Sequence, residues 1–213
     1  MHKENGLANL KINKKKFIYL ISPIKIPNSF YNNLKLVLKT GKVSFFQLRL
    51  KSYSQNKKMI IGKKIKNICK KNKVKFIIND DPLLALKLNA DGCHLGQKDT
   101  NIEIAKKILG KKIIGITCHN SIYLAKKAIK AKADYIAFGA FNQSKTKKTK
   151  HVASIKILNK VKKITKTPTV AIGGINSVNY KNLLLNNANL LAISGYIWKN
   201  KKYKPLQAIE RLK

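Results

Sequence analysis

Five of the chain's eight carboxylates, Asp80, Asp81, Asp91, Asp99 and Glu103, fall within residues 80–103, although the chain carries 46 basic residues against 8 acidic ones. A chain so rich in lysine keeps a carboxylate mainly where a backbone cap, an internal ion pair or a divalent cation requires one, so chemistry is sought here first. Asp80 and Asp99 stand at the ends of adjacent expected strands. Together they suit a hard cation such as Mg²⁺, which takes one or two protein carboxylates and fills its shell with water and substrate oxygens. Helix N-capping competes for Asp99 and is the preferred reading for Asp81, which precedes Pro82. Asp91 and Asp134 each follow an alanine just before an expected strand and are read as turn-fixing residues.

A second constellation is cationic. In Gln47-Leu48-Arg49-Leu50-Lys51 the polar residues alternate, which on a strand puts Gln47, Arg49 and Lys51 on one face. Three polar groups inside a sheet are costly without a ligand, and a planar guanidinium fork matches phosphate oxygens. The competing reading is an internal ion pair with a clustered aspartate. Gly173-Gly174 and Ser194-Gly195 close two later strands, where backbone N–H groups can hold a phosphate, and residues 139–148 form a polar loop long enough to cover such a site. His119 is an acid, a base or only a polar residue at a strand end, and spacing does not choose.

These residues need a scaffold that brings strand ends together. From Phe17 onward, β-branched or aromatic runs alternate with lysine-rich stretches of helical period. Strands are expected at 17–21, 45–50, 75–78, 92–95, 113–117, 135–138, 169–172 and 190–194, and helices at 29–39, 55–71, 82–88, 101–109, 121–131, 152–164, 177–186 and 205–212. Eight strand–helix units in one domain predict a (β/α)8 TIM barrel over 17–213, after a basic tail at 1–16, with a doubly wound open sheet as runner-up. In such a barrel the active site lies at the carboxyl ends of the strands, where the polar residues gather.

The formal charge of +38 invites a polyanion-binding reading. Only Arg49 and Arg211 are arginines, however, and lysine is dispersed over nearly every segment. A solvated lysine surface is therefore preferred to a specific nucleic-acid site. Cys69, Cys93 and Cys118 are odd in number and 24 and 25 positions apart, which argues against a disulfide framework or a paired-cysteine metal site and suits a reducing, cytoplasmic setting. No apolar run reaches the roughly 18 residues that span a bilayer, and residues 1–16 lack a secretory apolar core.

Taken in order, QLRLK, IINDDPLLALKLNADGCHLGQKD, GITCH, ADYIAFGAF with SKTKK, AIGGIN and AISGYIW resemble the thiamine-phosphate synthase family over residues 17–198. The resemblance implies a (β/α)8 barrel, Mg²⁺, and two substrates, hydroxymethylpyrimidine diphosphate and a thiazole phosphate. It implies that Gln47, Arg49, Lys51, Asn79 and Lys147 hold the diphosphate, with Arg49, Lys51 and Lys147 neutralising the departing pyrophosphate, and that Asp80 and Asp99 bind Mg²⁺. Thr117, where relatives often have serine, would lie beside the pyrimidine, and Ser144, Thr146, Gly174 and Ser194 would receive the thiazole phosphate. The implied reaction is loss of pyrophosphate to give a pyrimidine-methyl cation that the thiazole nitrogen captures. The loop departs from the family pattern: Asn142-Gln143 replace an apolar–proline pair and Ser144 a threonine. A thiazole tautomerase of the same superfamily, using a histidine that matches His119, is the alternative. A homodimer is admitted by the resemblance alone.

Overall fold

The computed structural model describes residues 15–142 and 152–213. The expected tail lies outside them except for Lys15 and Lys16. Eight parallel strands, β1 (Ile18–Ile21), β2 (Val43–Leu48), β3 (Lys75–Asn79), β4 (Gly92–Leu95), β5 (Ile113–His119), β6 (Tyr135–Gly139), β7 (Thr169–Ile172) and β8 (Leu190–Ile193), pair in sequence order and close when β8 pairs β1. Around them run α1 (Phe30–Lys39), α2 (Gln55–Lys71), α3 (Pro82–Lys87), α4 (Ile102–Leu109), α5 (Ile122–Lys130), α6 (Lys156–Lys162), α7 (Tyr180–Leu185), α8 (Gly195–Trp198) and α9 (Pro205–Glu210). The expected closed (β/α)8 barrel is what forms, and the open sheet is excluded. The single turn α8 had no counterpart in the expected elements, because four residues cannot display a helical period.

Strand alternation divides the core in two. Tyr19, Ile21, Phe45, Ile77, Tyr135, Ala137, Val170, Leu190 and Ala192 fill the barrel interior. Their neighbours, such as Ile18, Leu20, Phe46, Phe76, Ile78 and Ile136, pack outward against the helices. Each large side chain so buried contributes about 1.5–3 kcal/mol, which holds helices such as six-residue α3 that would not persist alone.

One expected boundary is corrected. β2 ends at Leu48: Gln47 pairs Ile21, the last residue of β1, Leu48 pairs Ile78, and the next N–H, that of Arg49, donates to the Ser22 side chain instead of continuing a ladder. Gln47 therefore points into the barrel alone, 3% exposed, while Arg49 and Lys51 lie in the loop beyond the strand. They do not share a strand face with it.

The amino-terminal end of the barrel carries the turn-fixing residues. Asp91, ahead of β4, accepts from the Phe76 N–H of β3 at 2.8 Å, and Asp134, ahead of β6, accepts from Ile114 of β5 at 2.8 Å. Asn189, ahead of β8, accepts from Thr169 of β7 at 2.8 Å. The device thus recurs ahead of β4, β6 and β8 and fixes the register at the end away from the site. Lysine finds work here too. Lys42 Nζ donates to carbonyls of Ile209, Glu210 and Leu212 at 3.0–3.4 Å, satisfying the orphan end of α9, and Lys106 does the same for Ala131 and Lys132 after α5.

Candidate active site

At the carboxyl end, the loops after β2, β3 and β4 meet. Lys51 Nζ lies 2.9 Å from Asp80 Oδ2, so the ion-pair reading of this cation is met alongside its proximity to the other site residues. Asp80 immediately follows β3 with φ +64°, and its N–H donates to the His94 carbonyl at 2.8 Å, which turns its side chain away from the ladder. The Asp80 and Asp99 carboxyl groups are close enough to shift each other's protonation, and Lys51 acts on both. Burial pushes Asp80 up, but the Lys51 ammonium and the neighbouring Asp99 carboxyl outweigh it, and its carboxyl is held below the ordinary value. Burial and then the neighbouring Asp80 raise Asp99. Two carboxylates this close need a proton or a cation between them. Their all-oxygen donor set suits Mg²⁺.

Two local features free these carboxylates for that role. Asp81, not Asp80, caps α3, accepting from Leu84 N–H at 2.8 Å and from Gln55 Nε2 at 2.8 Å. Asn101, not Asp99, caps α4 by accepting from Glu103 N–H at 2.7 Å. Asp99 instead accepts from the Gly96 N–H at 2.7 Å, and a Cβ at Gly96 would stand 2.8 Å from its Oδ2. Inside the mouth, Gln47 Nε2 donates to Asn79 Oδ1 at 2.7 Å, which leaves the Asn79 amide protons available to an anion. A cleft of about 570 Å³ opens beside Lys51, Asn79 and Asp80 and runs outward between α3 and α4 along Leu83, Ile104 and Ile108.

Below the mouth lies a polar chain that the sequence reading missed. Tyr19 Oη and Tyr135 Oη are 2.7 Å apart, Tyr135 Oη is 3.0 Å from His94 Nδ1, and His94 Nε2 is 2.8 Å from Thr117 Oγ1. The His94 ring stacks on Tyr135 at 5.6 Å. Burial holds His94 down to about 4, with Arg49 lowering it further against the opposing charge of Asp80, so the imidazole is neutral. Gly115 makes room for the arrangement, since a Cβ there would fall 1.9 Å from Tyr135 Cζ. The legible signals were His94 at an inward position of its strand and a glycine inside another.

The remaining candidates line the opposite side. Gly174 has φ +59°, and an added Cβ would meet Asn142 Cβ at 2.6 Å; its carbonyl accepts from Asn179 Nδ2 at 2.9 Å. Ser194 Oγ donates to the Ser22 carbonyl at 3.1 Å. Ser22, buried and not anticipated, also accepts from the Arg49 N–H at 2.9 Å, so the loops after β1, β2 and β8 are joined through one residue. Ser144, Thr146 and Lys147 lie outside the described residues. His119 ends β5 at φ +52°, past a bulge in its pairing with β6.

A family model described as thiamine monophosphate synthase matches residues 18–197. A thiamine-phosphate synthase of Pelagibacter ubique is 68% identical over 204 residues, covering 95% of this chain and 98% of that one. The corresponding protein of Erythrobacter litoralis is 38% identical over 196 residues, covering 90% and 92%. A solved thiamine phosphate pyrophosphorylase from Pyrococcus furiosus superposes with TM-score 0.82 at 28% identity, covering 93% and 95%. With the match running from β1 through α8, across every strand whose end contributes to the mouth, the chain belongs to the thiamine monophosphate synthase family.

Proposed function

We infer that the barrel mouth carries out the reaction named for these relatives, joining a pyrimidine diphosphate to a thiazole phosphate with release of pyrophosphate. The chain is a transferase, a thiamine-phosphate synthase. The observation that carries the site assignment is the meeting of Lys51, Asp80 and Asp99, with Asn79 beside them accepting from Gln47 through its Oδ1.

In this reading Arg49 and Lys51 donate to the diphosphate oxygens and Asn79 adds its amide protons, while Lys147 joins them from outside the described residues. Their task is to neutralise charge that grows on the leaving group as the C–O bond breaks. Asp80 and Asp99 hold Mg²⁺, which when bound supplies further positive charge to the departing pyrophosphate. Thr117 positions the pyrimidine, and Gly174, Ser194, Ser144 and Thr146 hold the thiazole phosphate so that its nitrogen meets the exposed methylene. The pyrimidine-methyl cation is captured as it forms, and no protein nucleophile takes part. The same reading includes a cytoplasmic location, which three buried free thiols support, no specific nucleic-acid partner, and, on family resemblance alone, a homodimer.

The test is an assay with both substrates and Mg²⁺ that follows thiamine phosphate and pyrophosphate together, omitting each component in turn. Equal release of both products is expected. Folded protein that forms neither, yet loses a thiazole-isomerising activity in His119→Ala, would replace this reading with the tautomerase.

A further inference from the structure

The chain Tyr19–Tyr135–His94–Thr117, buried at its tyrosine end, has a direction, and hydrogen-bond accounting fixes it. Among the described residues, the Tyr19 hydroxyl has Tyr135 as its hydrogen-bond partner, at 2.7 Å, in a fully buried setting. If Thr117 donated to His94 Nε2, then Nδ1–H would donate to Tyr135 and Tyr135 to Tyr19. The Tyr19 proton would then have no acceptor, and an unsatisfied buried donor is disfavoured. In the opposite sense every proton is placed. Tyr19 donates to Tyr135, Tyr135 donates to Nδ1, and Nε2–H donates to Thr117 Oγ1. A doubly protonated imidazole fails the same count, because Nδ1–H would again turn Tyr135 onto Tyr19 and leave the Tyr19 proton without an acceptor.

We propose that Tyr19 and Tyr135 are positioning residues that lock His94 as the Nε2–H tautomer and thereby turn the Thr117 hydroxyl into a hydrogen-bond donor aimed at the barrel mouth. The ligand class this selects is a heteroaromatic ring presenting an unprotonated ring nitrogen rather than an amino group. The proposal rests on the reading that Thr117 lies beside the pyrimidine. His94 and Thr117 are half-buried, whereas both tyrosines are sealed beneath them, so the tyrosines act through His94 and Thr117 and do not touch substrate.

The experiment has two arms. The first measures the ring ¹⁵N shifts of His94 in the wild-type protein and in Tyr135→Phe, with no substrate present. Protonated Nε2 and unprotonated Nδ1 are expected in the wild type, with loss of that preference in Tyr135→Phe. Protonated Nδ1 in the wild type, or an unchanged preference in the variant, overturns the relay. The second arm measures both KM values in Tyr135→Phe, Thr117→Val and Thr117→Ser. Loss of one neutral hydrogen bond predicts a rise of about five- to tenfold in KM for the pyrimidine diphosphate in the first two, no change for the thiazole phosphate, and recovery in Thr117→Ser. If the tautomer behaves as expected but the pyrimidine diphosphate KM does not move, the contact between Thr117 and the pyrimidine is wrong and the proposal falls with it. The wild-type spectrum needs no variant to fold.

Discussion

Asp80 and Asp99 come together from the loops after β3 and β4 and split each other's protonation, one carboxyl held below its ordinary pKa and the other above. Such a pair binds one proton where a divalent cation would bind both charges. Cation binding must expel the proton from Asp99, so Mg²⁺ affinity should rise with pH until the Asp99 group, raised above the ordinary carboxylate range by burial and by Asp80, has ionised, and level off beyond that. Titrating Mg²⁺ against activity at several pH values measures this. Asp80→Asn should flatten the dependence and lower kcat by about 100-fold. An unchanged Mg²⁺ requirement in that variant would remove Asp80 from the metal site.

Lys51 tests whether its ion pair with Asp80 serves stability or substrate. The ammonium is largely exposed, and exposed pairs contribute about 0–1 kcal/mol. Lys51→Ala should therefore leave the melting temperature within a few degrees of wild type while raising KM for the pyrimidine diphosphate and lowering kcat. Calorimetry beside steady-state kinetics separates the two roles. A large loss of stability with intact kinetics would make Lys51 a structural residue.

Strand and helix periods made the barrel legible, because each βα unit buries one apolar face and the pattern repeats without interruption. The cation and carboxylate residues were legible for a different reason: arginine and aspartate are so scarce in this chain that retention at strand ends carried information. What the sequence hid was polarity inside apolar strands. Tyr19 and Tyr135 look like ordinary core aromatics, and only closure of the ring brings their hydroxyls together across 116 positions. The end of β2 was hidden likewise, since Arg49 and Lys51 keep a strand-like alternation after the pairing has stopped.

Gly115 probes that hidden layer. A methyl group there would overlap the Tyr135 ring, which is fixed by its bonds to Tyr19 and His94 and cannot swing aside. Overpacking of this kind costs about 1–3 kcal/mol, so Gly115→Ala should lower the melting temperature by several degrees. The double variant Gly115→Ala/Tyr135→Leu should recover part of the loss by vacating the ring's space. Additive losses in the pair would mean that the two residues do not compete for volume.

His94 should leave its mark on acid stability. Its folded-state pKa is depressed to about 4, from an ordinary value near 6.5, chiefly by burial. Above about 6.5 both folded and unfolded chains hold it neutral, and its contribution is complete. As the pH falls below that value the unfolded chain takes up a proton that the folded chain refuses. Stability therefore declines through the window and stops declining from this source once the folded histidine also titrates near 4. The interval corresponds to a loss on the order of 3 kcal/mol. Urea unfolding at pH 7, 6, 5 and 4.5 should show a decline that His94→Asn, which keeps a polar group but cannot titrate, reduces by a comparable amount. Parallel curves for the two proteins would mean that His94 is protonated in the folded barrel, which would also leave Tyr135 facing a ring N–H instead of the acceptor that orients it.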